Sequence, residues 1–210
     1  MNVKSVRNLG VITDNEMDMK AHVSHICKIC YFQIRNIRKI RPFLSVDATK
    51  KLVQALVISR LDYCNSLLYC IHETLLDKLQ RVQNAAARLI FKTSKYEHIT
   101  PTLKNLHWLK IRQRIKFKIL TLTYKILFEG EPQYLADMPL WKTSTRTLRS
   151  NTKRLLKQPP WNNKTSGFRC FSVSVPFLWN NLPQYLRDCN SLLPFRKQLK
   201  THLFKECYEV

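Results

Sequence analysis

Apolar residues along this chain recur mostly at helical spacing. From Met19 to Ile40, Val23, Ile26, Cys30, Ile34 and Ile37 fall on one stripe while Lys28, Arg35, Arg38 and Lys39 fall off it, the recurrence of an amphipathic helix. Pro42 ends that helix, because its ring and missing N–H cannot continue the hydrogen-bond ladder. Ser45 caps a second, with Asp47 in its first turn facing the positive end of the helix dipole and Leu52, Val53, Leu56 and Val57 on its apolar face. A third opens with Thr74 and Asp77 in a capping-box-like spacing and turns Leu75, Leu79, Val82, Ala86, Leu89 and Ile90 inward. The small residues Ala85, Ala86 and Ala87 let another helix approach closely. Three such helices joined by short turns predict a compact bundle.

Ahead of the bundle, Val6, Leu9, Val11 and Ile12 read as one buried strand. A lone strand cannot satisfy its backbone groups, so its partner strands are expected elsewhere. After the bundle, basic and apolar residues alternate from Lys110 to Ile119, as in a strand with one charged face. Ile111, Ile115, Ile119, Leu122 and Ile126 nevertheless keep three- and four-residue spacing up to the stop signals Gly130 and Pro132, which favours a helix. Beyond Asp137 the composition shifts toward Ser, Thr, Pro and Arg. There "QPPWNNKTSG" reads as a loop, and "FRCFSVSVPFLWNNLP" as a short strand bounded by Pro176 and Pro183. A last amphipathic helix runs from Leu192 to Cys207, with Ser191 as cap, Pro194 in its first turn, and Leu192, Phe195, Leu199 and Leu203 inward. The expected fold is mainly α: a strand in 1–15, a helical bundle in 16–93, a basic helical segment in 94–138, and a small mixed carboxy-terminal region in 139–210.

Charge adds a partner to this picture. Lys and Arg number 36 against 14 Asp and Glu, a net charge of +22, and a polyanion relieves the self-repulsion such a chain suffers on folding. No acid occurs between Glu97 and Glu129 or between Asp137 and Asp188. Within these stretches Lys104, Lys110, Arg112, Arg114, Lys116, Lys118, Arg146, Arg149, Lys153 and Arg154 are the candidate nucleic-acid-binding residues, with Trp141 and Trp161 available to stack on exposed bases. A membrane is not the expected anion surface. No apolar run approaches the length of a bilayer span, and the best candidate, "ILTLTYKILF", contains Lys125. The amino terminus lacks the pattern of a secretory signal, and the 7 Cys read as reduced thiols, so the expected location is intracellular, in the nucleus or cytoplasm.

The chain offers little else for chemistry. His22, His25, Cys27 and Cys30 imitate zinc spacing, but on a continuous helix His25 and Cys27 point about 160° apart. Asp14, Glu16 and Asp18 imitate the start of a calcium loop, yet Met19 stands where its sharp-turn glycine belongs. They read instead as acids favouring the start of a helix. Asp62 in "SRLDYCN" reads as an ion pair or cap, since metal-assisted phosphoryl transfer needs convergent carboxylates and the chain has no adjacent acidic pair. There is no glycine-rich phosphate loop. No metal, cofactor or enzymatic activity is expected.

In order, "LGVITD", "SRLDYCNSLL", "KLQRVQNAAARLI", "YEHITPTLKNLHWLKIRQRIKFKI", "RTLRS", "PFLWNNLPQYLRD" and "FRKQLKTHLF" cover nearly the whole chain. Together they resemble the carboxy-terminal part of the reverse transcriptase of LINE-type, non-LTR retrotransposons of the jockey-like and related clades. The resemblance implies that Leu9, Gly10 and Val11 match the strand after the polymerase palm, and that the helices from Met19 to Phe91 match the thumb. The palm would then hold the missing partner strands. The family's metal-binding aspartates have no counterpart here, and Lys110 stands where relatives tend to have Pro. The implied protein is a truncated fragment that holds RNA or DNA through its backbone and does not polymerise. A domesticated module that binds a protein through its palm-facing surface, or a translated fragment without function, are the alternatives.

Overall fold

The computed structural model describes residues 5–136, 141, 154–160 and 170–208. It opens with a hairpin rather than a single strand. Strands β1 (Ser5–Asn8) and β2 (Val11–Asp14) pair antiparallel, with Val6 opposite Thr13 and Asn8 opposite Val11. The reason is the turn: Leu9 and Gly10 both take positive φ, 45° and 83°, the two-residue geometry whose twist matches a hairpin. The expectation of a buried lone strand is corrected accordingly. Val6 is 56% and Leu9 84% exposed, and only Val11 enters the core. The Tyr63 hydroxyl pins the turn by donating to Leu9 O at 2.7 Å.

Helix α1 (Lys20–Ile40) begins where Asp18 Oδ1 accepts from Lys20 N at 2.8 Å, an end-capping role for one of the three leading acids. It buries the expected stripe together with His22, whose Nδ1 accepts from Ile12 N of β2 at 3.4 Å. Burial holds the His22 imidazole below the usual histidine range. At the far end Pro42 turns the chain into a short 3₁₀ segment, Arg41–Phe43. Arg41 is buried there. It donates to Leu89 O at 3.0 Å and to Ile90 O at 2.7 Å, satisfying carbonyls at the end of a helix distant in sequence.

Helix α2 (Val46–Val53) carries the expected cap, Ser45 Oγ accepting from Ala48 N at 3.1 Å. It continues through a π turn, Gln54–Ile58, into α3 (Ser59–Asp62). That wide turn rotates the buried face, so Val57, Ile58 and Leu61 go inward while Leu56, expected inward, is 37% exposed. After a 3₁₀ turn at Asn65–Leu68, α4 (Glu73–Phe91) packs on α1 and α2 to complete the three-helix bundle. Its cap is His72, whose Nδ1 accepts from Thr74 N at 3.4 Å, not Thr74 itself. The apolar face of α4 is buried as its spacing requires.

Helix α5 (Ile99–Asn105), not separated within the basic helical segment read from the sequence, leads through the left-handed His107 and the non-helical Trp108, Leu109 and Lys110 into α6 (Ile111–Glu129). The chain from Lys110 to Ile119 is thus helical, and Gly130, at φ 69°, stops it. Two glutamines of α4 hold its start. Gln83 Nε2 donates to Leu109 O and Gln80 Oε1 accepts from Ile111 N, both at 2.9 Å. A short α7 (Gln133–Ala136) follows.

The segment expected as a strand is helix α8 (Phe171–Asn180). Ser and Val alternate in this stretch, but Val175, Leu178, Trp179 and Leu182 lie three and four apart, and all are buried. Helices α9 (Gln184–Arg187) and α10 (Leu192–Tyr208) complete the chain, with Phe195, Leu199 and Leu203 inward as read and Leu192 half-buried. α6 is the central element of this half, packed by both α8 and α10. The Tyr124 and Phe195 rings stack at 4.5 Å beside Trp179. One apolar core runs from Val11 to Leu203, and the molecule is mainly helical. Among the described residues no helix is long and apolar enough to cross a membrane.

Candidate nucleic-acid interface

On a helix, residues two apart lie about 200° apart, so the alternating cations of α6 cannot form one basic face. They split into two pairs on opposite sides. Arg112 and Lys116 share one side and Arg114 and Lys118 the other. Three of the four meet acids from distant elements. Arg112 Nη1 donates to Glu73 Oε1 at 2.7 Å, Lys116 Nζ to Glu206 Oε1 at 2.7 Å, and Arg114 Nε to Asp62 Oδ1 at 2.8 Å. A second, closer contact of Arg114 Nη2 to Asp62 Oδ2 makes that pair bidentate. Asp62 is therefore an ion-pair partner across the fold, as its surroundings in the sequence suggested.

The remaining expected contacts are scattered. Lys104 and Lys110 lie over the Tyr208 ring, 5.8 and 5.2 Å from its centre, and Lys110 also donates to Cys207 O at 3.5 Å. Arg154 sits over Phe128 at 5.3 Å, with Nη1 donating to Arg187 O at 3.3 Å. Arg146, Arg149, Lys153 and Trp161 lie outside the described residues. Among the described candidates, Lys104 and Lys110 meet at the Tyr208 ring and Arg114 and Lys118 line one cleft, where Lys118 joins no ion pair among the described residues.

These two open onto a cleft of about 530 Å³ between the α3 end of the bundle, α6 and α10. Exposed Arg196 and Lys200, one turn apart on α10, stand on its rim with Lys118. Asp62, with Arg114 and Asn65, belongs to the same lining and is its one acid among the described residues. A second cleft of about 570 Å³ carries Lys50 and Lys51, and the two share Gln54, Leu106, His107 and Trp108 as common walls. Trp108 is half-buried at that junction, its carbonyl accepting from the Tyr208 hydroxyl at 2.8 Å. The two adjoining clefts make a basic groove whose shared lining includes His107 and Trp108.

Sequence reasoning missed Lys50, Lys51, Arg196, Lys200, His107 and Trp108. The i, i+4 spacing of Arg196 and Lys200 in "FRKQLK" was a visible signal of one basic helix face. Their meeting with Lys118 depends on how α10 crosses α6, which no local pattern encodes.

The other clusters stay apart. Cys30 lies wholly in the core with Sγ 3.8 Å from Val57 O, and burial pushes its thiol up to about 12. His22 faces β2 instead. Among the described residues no three His, Cys, Asp or Glu side chains come together as metal ligands. No family model, curated protein or solved structure matches the chain.

Proposed function

We propose that the chain grips the phosphate backbone of RNA or DNA without reading sequence, as the thumb and post-thumb part of a LINE-type reverse transcriptase would. The observation that carries this reading is the groove, where Lys118, Arg196 and Lys200 face one acid that is already held by Arg114. Three of the motifs behind the resemblance line that same groove. "SRLDYCNSLL" supplies Asp62 and Asn65, "LHWLKIRQRIKFKI" supplies Trp108, Arg114 and Lys118, and "FRKQLKTHLF" supplies Arg196 and Lys200. Such a protein works where nucleic acid is, in the nucleus or cytoplasm, and no bond-making step is assigned to it.

Salt tests the reading. If Lys50, Lys51, Lys118, Arg196 and Lys200 each neutralise one phosphate, affinity for a labelled oligonucleotide falls roughly 100- to 500-fold between 50 and 200 mM salt. Fluorescence anisotropy measures it. Affinity independent of salt, or none at 50 mM, overturns the proposal. A second reading, a protein-interaction module, is favoured by the exposed Val6 and Leu9 on the hairpin and Phe32 on α1. It requires a partner complex that survives nuclease treatment.

A further inference from the structure

We infer that the cleft beside Asp62 seats one unpaired nucleotide of a single strand, with Trp108 stacking on its base, Asn65 accepting a hydrogen bond from the base edge, and Lys118, Arg196 and Lys200 holding the flanking phosphates. This rests on the nucleic-acid reading above and narrows it from backbone gripping to a particular strandedness.

Asn65 carries the step beyond a merely basic groove. It is 4% exposed, lines the cleft, and its Oδ1 has no hydrogen-bond partner among the described residues. A buried amide oxygen without a partner is uncommon in folded proteins. The orientation of this amide is fixed by its neighbour. The Asp62 carboxylate, already accepting from Arg114, can only accept, so Asn65 turns its Nδ2 toward Asp62 Oδ1, 3.5 Å away, and its Oδ1 elsewhere. What that oxygen lacks is a donor. The ring N–H or exocyclic amine on the edge of a nucleobase is a donor attached to a flat apolar ring, and Trp108 lines the same cleft.

Strandedness follows from the same pair. In a duplex both faces of a base are stacked and its pairing edge is occupied, so neither Trp108 nor Asn65 has anything to engage. An unpaired base offers both. The volume, about 530 Å³, lies in the range of sites that enclose a single small ligand. Phosphates belong on the rim, where Lys118, Arg196 and Lys200 stand outside the ion pairs that hold Arg112, Arg114 and Lys116. Three cations exceed what one phosphate needs. The adjoining cleft on the other side of Trp108 carries Lys50 and Lys51, further cations for a strand that extends beyond one nucleotide, so the occupant is a strand and not a free nucleotide.

The test compares a single-stranded oligonucleotide with its own duplex at 50 mM salt. The wild-type chain is expected to bind the single strand at least 10-fold more tightly. Trp108→Ala should lower single-strand affinity about 10-fold, the loss of one base–aromatic stack, while leaving duplex affinity unchanged. Trp108→Phe, which keeps a ring, should restore most of the loss. Asn65→Leu should weaken single-strand binding more than duplex binding. Lys118→Gln with Arg196→Gln and Lys200→Gln should weaken single strand and duplex alike. Equal wild-type affinity for both forms, unchanged single-strand binding by Trp108→Ala, or a loss shared equally by both forms each overturns the nucleotide seat. In all three cases salt-dependent binding that the triple variant loses leaves the backbone reading standing. A nucleoside monophosphate that displaces the oligonucleotide at micromolar concentration overturns the strand in favour of the free nucleotide.

Discussion

Replacing Trp179 with alanine is expected to lower stability by about 3–5 kcal/mol, the range for removing a fully enclosed large aromatic. The side chain is 0% exposed and its ring lies 5.9 Å from Phe195 and 6.1 Å from Phe128. It also carries a polar duty, since Nε1 donates to Arg154 O at 2.9 Å. Two residues on, Leu156 exchanges both backbone hydrogen bonds with the Asn180 side chain, at 2.8 and 2.9 Å. The indole and this amide together fasten residues 154–156 onto α8, so their loss combines a cavity with an unmade hydrogen bond. Typical domains are stable by only 5–15 kcal/mol. The urea midpoint, read by circular dichroism, should fall steeply, and a loss below about 1 kcal/mol would place Trp179 outside the core.

Asp62→Ala is expected to cost about 2 kcal/mol, between the ranges for exposed and for buried ion pairs, because the guanidinium is largely enclosed while the carboxylate is 38% exposed. Most of that cost is the guanidinium of Arg114, whose side chain is largely enclosed and joins no other ion pair among the described residues. Removing the stranded charge as well should recover stability. The double variant Asp62→Ala with Arg114→Met is therefore expected to be more stable than Asp62→Ala alone, and a double-mutant cycle in urea measures the coupling. Additive single effects would show that the pair does not tie α3 to α6.

Where a helix is set by one buried stripe and local caps, its position was legible in the sequence. α1, the Ser45 cap and α10 follow from residues within one or two turns of one another. The π turn in the second helix was not, because a single extra residue in one turn leaves the spacing pattern nearly intact while rotating Leu56 outward. The hairpin was missed because Leu9 looked like a strand residue, although Gly10 beside it permitted the positive-φ turn. At α8 the Ser–Val alternation and the three-to-four spacing of Val175, Leu178 and Trp179 competed, and burial against α6 decided for the helix.

The binding surface was legible in sign and not in place. A run of cations at every second position looks like a basic stripe, yet helical geometry divides it and acids far away in sequence claim Arg112, Arg114 and Lys116. Lys118 gains its role only from neighbours contributed by α10, 78 to 82 residues further along the chain. Charge composition names a kind of partner, and tertiary packing chooses which charges remain to meet it.

Lysine acetylation with and without a bound single-stranded oligonucleotide, read by mass spectrometry, tests the groove most directly. Lys51, Lys118 and Lys200 should become protected in the complex, while Lys28 and Lys39 on the exposed face of α1 react as before. Unchanged reactivity at Lys118 and Lys200, with protection appearing on α1 instead, would contradict the groove as the place where nucleic acid is held.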